Sequence, residues 1–136
     1  MTQTPNFQLN QWSGTDYVRR TDFNADNLKI DTALGMIPRV VVGTYTGDGA
    51  ESREIDLGFK PKAVFVCQGD GAIHESGTIY GGLALQGFPI VESYGQQTCT
   101  GLALTETGFQ VACKNISYRK ALSNNGGITY HYFAIG

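Results

Sequence analysis

Charged side chains are scarce in this chain: 16% of 136 residues, with Lys and Arg numbering 10 against 12 Asp and Glu. A formal net charge of −2 leaves no basic stripe, which argues against nucleic-acid binding. No apolar run approaches the roughly 20 residues that a spanning helix needs, so membrane insertion is not expected. The opening MTQTPNFQLN lacks the apolar core of a signal peptide, and synthesis in a cytoplasm is the expectation. Cysteine is limited to Cys67, Cys99 and Cys113, an odd and dispersed set in apolar or alternating contexts. It reads as free buried thiols; no CxxC or HxxxH spacing offers a metal site. The histidines are His74, in a Gly-rich loop, and His131, in an apolar strand where a hydrogen-bonded core or interface imidazole is expected. No nucleophile elbow, zincin, P-loop or dinucleotide fingerprint occurs. The acidic residues of the body fall at turns or on polar strand faces, where solvated charge explains them. The lone aspartates Asp48 and Asp70 fall far short of a calcium shell. No catalytic residue, metal or cofactor is expected.

What the chain has in quantity is glycine, 18 residues, set between short alternating runs. Val40, Val42, Thr44 and Thr46 alternate with Arg39, Val41, Gly43 and Tyr45, the period-2 signature of a strand with one buried face. Gly47-Asp48-Gly49 supplies a tight turn. Arg53 to Leu57 alternates again, and Gly58-Phe59-Lys60-Pro61 turns the chain into Ala63–Cys67, apolar throughout and read as covered on both faces. Further strands are predicted at Thr78–Leu85, Phe88–Ser93, Cys99–Leu104, Gly108–Cys113 and Ile128–Ile135, the last after the turn signal Ser123–Gly127. The fold class predicted is mainly β: an antiparallel β-sandwich or jelly-roll-like body over 37–136, preceded by an extended arm and one short α-helix within 1–36.

The arm is polar but punctuated by Phe7, Leu9, Trp12, Tyr17 and Val18, more apolar anchors than a disordered tail carries, so it docks on its own body, a sister subunit or a partner. The helix is predicted over Thr21–Leu34, with Thr21 as N-cap, Asp22 in the first turn and Gly35 as the stop before Pro38. Phe23, Asn27, Ile30 and Leu34 follow the four-three-four spacing of a coiled-coil seam, Asn27 at a register-setting position. Packing of the helix on its own domain is the competing reading. For ligand binding, Tyr94, Gln96, Gln97, Tyr118 and Arg119 stand out, with Tyr80, Asn115 and Asn124 nearby. Aromatic planes beside amide and guanidinium donors suit sugars and polar polymers. Beyond Glu106 there is no acid, while Lys114, Arg119 and Lys120 make the stretch locally cationic, fitting an anionic wall polymer. Ordinary polar loops would look the same.

The segment Asn10–Leu34, NQWSGTDYVRRTDFNADNLKIDTAL, resembles the N-terminal segment of tail proteins from bacteriophages and prophages of Gram-positive bacteria, through a Y-x-x-R-x-D-F-N-x-D-x-x-K-I-D pattern. Its matches are Tyr17, Arg20, Asp22, Phe23, Asn24, Asp26, Lys29, Ile30 and Asp31. The remainder is similar to β-rich modules that end tail-fibre or receptor-binding proteins. The resemblance implies a non-enzymatic structural component of the virion tail. It would be a homotrimer, attached to other tail or baseplate proteins through residues 1–36 and touching host cell-wall polysaccharide with its β-body loops. Between Leu34 and Arg39 there is no shaft, which points to a short tip. The alternatives are a monomeric carbohydrate-binding module and a small wall hydrolase.

Overall fold

The computed structural model describes residues 1–136 and contains two compact units, Met1–Pro38 and Arg39–Gly136. It is mainly β with one helix.

In the first unit, β1 (Thr2–Gln3) and β2 (Asn10–Gln11) form an antiparallel ribbon, followed by α1 (Arg20–Gly35). The expected extended arm is thus folded onto the helix. Asp26 anchors it: its carboxylate accepts from the Asn10 backbone N–H at 2.9 Å and the Asn10 amide at 3.1 Å, and Lys29 Nζ donates to the Gln8 carbonyl at 2.5 Å. Trp12 stacks on Phe23 at 5.3 Å, yet its indole N–H is buried without an acceptor, for which the unit offers no account. Both helix ends differ from expectation. The N-cap is Arg19, with no side-chain cap, and Thr21 lies inside the first turn. Gly35 is still helical; the stop is Met36, where the Met36 N–H donates to Ala33 O and the Ile37 N–H to Leu34 O, so Pro38 alone of the two breakers lies outside the helix. The unit's buried residue is Asp26; no apolar side chain in it is buried. Isolated helices of this length are marginal in water, so packing must supply what propensity cannot.

The second unit starts with β3 (Val40–Thr46), β4 (Ser52–Asp56) and β5 (Ala63–Gln68). Next come β6 (His74–Glu75), β7 (Thr78–Ile79), β8 (Gly82–Leu85) and β9 (Ile90–Tyr94). The chain ends with β10 (Gln97–Leu104), β11 (Gly108–Ile116), β12 (Arg119–Leu122) and β13 (Thr129–Ile135). Strands β3-β13-β5-β8 make one antiparallel sheet. A second runs β6-β7-β12-β11-β10-β9, with β4 also paired to β11. The result is a sandwich-like body with one sheet strongly curled.

Alternation explains the core. On β3 the Val41, Gly43, Tyr45 face turns inward, and on β13 it is Tyr130, Tyr132 and Ala134, the set opposite Thr129, His131, Phe133 and Ile135. These meet Val64, Val66 and Ala84, and across the sandwich Leu102, Phe109 and Val111. Gly43 is required because the Tyr132 ring lies where its Cβ would be. A satellite core of Cys99, Ala112, Ile116 and Ala121 fills the curled sheet.

Several sequence expectations are revised by tertiary contacts. Ala63–Cys67 is buried on one face only: Val64 and Val66 are sealed, while Phe65 and Cys67 are half-buried. The run Thr78–Leu85 is two strands, because Gly81 steps against the Val66 carbonyl, an approach that a Cβ would block. His131 is exposed on the outer face of β13, and of the three free cysteines only Cys99 is fully buried.

The turn signal Ser123–Gly127 becomes a buried bracket. Ser123 Oγ accepts from the Ala112 N–H at 2.9 Å and donates to the Gly101 carbonyl. Asn124, fully buried, donates to Ala50 O at 3.1 Å and Asp48 Oδ1 at 2.6 Å, and accepts from the Asp48 N–H at 3.3 Å. Tyr45 OH donates to Ser123 O at 2.5 Å, and Tyr130 OH donates to Leu122 O. Burial pushes both phenol pKa values upward, so these hydroxyls stay donors.

Candidate functional site

Two hairpins of the curled sheet have the same two-residue loop. Tyr94 pairs with Gln97 around Gly95-Gln96, and Ile116 pairs with Arg119 around Ser117-Tyr118. In each, the first loop residue takes positive φ, 62° at Gly95 and 45° at Ser117. Glycine adopts this readily, whereas a serine held there carries local strain. The tight loops bring Tyr94 and Tyr118 into an edge-to-face pair, centroids 5.1 Å apart at 67°. Tyr118 remains 74% exposed and Tyr94 43%, and Gln96 and Gln97 are exposed beside them.

The strands that lead into these hairpins carry a polar clasp. One Glu92 oxygen meets His74 Nε2 at 2.5 Å, and the other lies 3.4 Å from Arg119 Nε. That Nε is buried without a well-directed hydrogen bond. Because β6 and β9 stand at opposite ends of the sheet's strand path, the His74–Glu92 contact ties the two ends of the curl together. Arg119 passes over Gly77, whose φ of 78° and missing Cβ both make room for it. Behind the clasp, burial raises the Cys99 thiol pKa, the opposite of what an activated nucleophile needs.

Of the sequence-predicted binding residues, the structure gathers Tyr94, Gln96, Gln97, Tyr118 and Arg119 on these adjoining hairpins. It removes Asn124, which is fully buried in the bracket, and leaves Tyr80 half-buried between β7 and β8. It also corrects the charge. Lys114 pairs with Glu51 at 3.2 Å and Arg119 with Glu92, so acids from earlier in the chain offset two of the three cations and leave Lys120 exposed without an acidic partner. Glu92 and His74 were not legible as part of this cluster, since the sheet's curl brings them there and no local pattern announces it.

In the first unit the helix turns Asp22, Asp26, Lys29 and Ala33 toward the ribbon. The seam residues Phe23 (51%), Ile30 (41%) and Leu34 (61%) stay exposed, as does Asn27. Ile30 and Leu34 join Phe7, Leu9 and Ile37 along an apolar groove. No set of three or more His, Cys, Asp or Glu side chains converges to hold a metal ion, and no helix is long and apolar enough to cross a membrane. Comparison with family models, curated proteins and solved structures gives no match.

Proposed function

We propose that this chain is a structural component of a phage tail, a short tip whose β-body touches the host surface at the Tyr94–Tyr118 hairpins. Residues 1–36 would attach it to other tail or baseplate proteins, and the exposed Phe23, Asn27, Ile30, Leu34 seam would join copies into a homotrimer. The observation that carries the binding role is the pairing of two exposed tyrosines from separate hairpins with the Gln96 and Gln97 amides at their side. An aromatic ring covers the apolar face of a sugar while amides read its hydroxyls. Because Lys114 and Arg119 are already paired and only Lys120 is left without an acid, a neutral cell-wall polysaccharide suits this surface better than an anionic one. The Asn10–Leu34 resemblance supports placement in a virion tail, and the exposed apolar positions of α1 support an attachment role.

Binding of the full-length chain to purified wall polysaccharide of Gram-positive cells tests the contact. Tyr118→Ala should weaken binding about 10-fold, the equivalent of ~1.4 kcal/mol, with the melting temperature unchanged because the ring is mostly solvent-exposed. Unaltered binding by the variant, or none by the wild type, would refute the contact. A monomeric carbohydrate-binding module is the second reading, favoured by the fact that one chain supplies both tyrosines. A stable monomer that binds glycan would establish it.

A further inference from the structure

The outer face of the β3-β13-β5-β8 sheet carries side chains that the fold itself does not use. Strand register places Val42, Phe133, Phe65 and Leu83 in one cross-strand row, and Val40, Ile135, Ala63 and Leu85 in the next. The third row is Thr44, His131 and Cys67, and Thr46 with Thr129 closes the end. None of these positions holds Asp, Glu, Lys or Arg. Several are open: Val42 is 78% exposed, Val40 56%, Leu83 53%, Leu85 44% and Phe133 38%. A sheet with one solvated face ordinarily alternates apolar-in with polar-out. Here two adjacent rows of the outer face are apolar across all four strands, which is the pattern of a sheet covered on both sides.

We infer that this face is an interface between copies of the chain. Side chains of this size, exposed to these fractions, present on the order of 500–600 Å² of apolar surface, about two-thirds of the ~800 Å² per partner of a standard stable interface. That area matches the largest patches that monomers usually tolerate, roughly 300–600 Å². The threonine rows at one end extend the contact toward the standard size. An uncharged face makes no demand for a charge-complementary partner. It is complementary to itself, as an interface between identical subunits must be when the same patch is used twice. Sheets stack face to face at about 10 Å with rows interdigitating, and the regular rows here fit that packing. This contact is separate from the helix seam and from the tyrosine hairpins, and its failure leaves the polysaccharide contact standing.

Light scattering and sedimentation velocity on the full-length chain from about 1 to 100 µM test the inference. The wild type should associate. Val42→Lys and Leu83→Lys, at opposite edges of the sheet and already solvent-exposed, should each weaken association at least ~100-fold while melting like the wild-type monomer. Leu34→Asp, on the helix seam, is the control. A wild type that is monomeric at the highest concentration overturns the inference. So does an oligomer whose mass neither lysine variant reduces, or one that only Leu34→Asp dissociates.

Discussion

Asn124→Ala tests whether the body is held by its turn as much as by its core. The Asn124 side chain is fully buried and makes three hydrogen bonds, to Ala50 O, to the Asp48 N–H and to Asp48 Oδ1. The last contributes least, since water reaches the Asp48 carboxylate and competes for it. The other two lose a partner inside the fold, at ~1 kcal/mol each, and the vacated volume adds about 1 more. The expected loss is thus about 3 kcal/mol. For a body of about 100 residues this corresponds to a fall in Tm of roughly 12–24 °C. Thermal unfolding followed by near-ultraviolet circular dichroism, where the stacked Tyr45 and Tyr130 report, measures it directly. Urea titration at 25 °C gives the same quantity without the temperature extrapolation. A Tm loss under about 4 °C would show that the β3–β4 turn holds its place without the Asn124 side chain, and the reasoning would fail.

Two further predictions follow from single residues. Ser117→Gly relieves the positive φ that serine holds, and should raise stability by about 1 kcal/mol while leaving Tyr118 in place; a loss of stability in denaturant titration would count against strain there. The backbone N–H of Ala50, and then the Asn124 amide, hold the Asp48 carboxyl below its usual pKa of 3.8, and the Thr105 and Thr107 hydroxyls do the same for Glu54, below 4.5. A folded-state pKa depressed below the unfolded one contributes stability that is present above the unfolded value and lost as pH falls through the folded one. Tm should therefore hold level from about pH 7 to 5 and fall below about pH 4. Asp48→Asn should shrink the acid-side fall, and an identical acid profile in the variant would refute the assignment.

Much of the body was legible because strand alternation is a local property. The inward sets on β3 and β13 follow from period 2 once one buried position is known, and the turns at Gly47–Gly49 and Ser123–Gly127 announce themselves by residue type. β12 escaped notice because Arg119–Leu122 has neither alternation nor branching; it is a strand because β11 and β7 pair with it on either side. The helix seam was legible as a spacing, but the spacing does not say what faces inward. Asp26, an apparent surface charge, turns in because Asn10 and Lys29 satisfy it. Tyr94, Gln96, Gln97 and Tyr118 could be selected by type, whereas their adjacency depends on two hairpins lying side by side.

By itself the sequence determined a short-stranded β-body with one helix ahead of it, because apolar periodicity and turn chemistry act within a few residues of each other. Tertiary structure alone decided which charges are cancelled, which polar residue is buried and which apolar rows stay open. Those properties belong to strands far apart in the chain, and register across the sheet, set by pairing, brings Val42, Phe133, Phe65 and Leu83 into line.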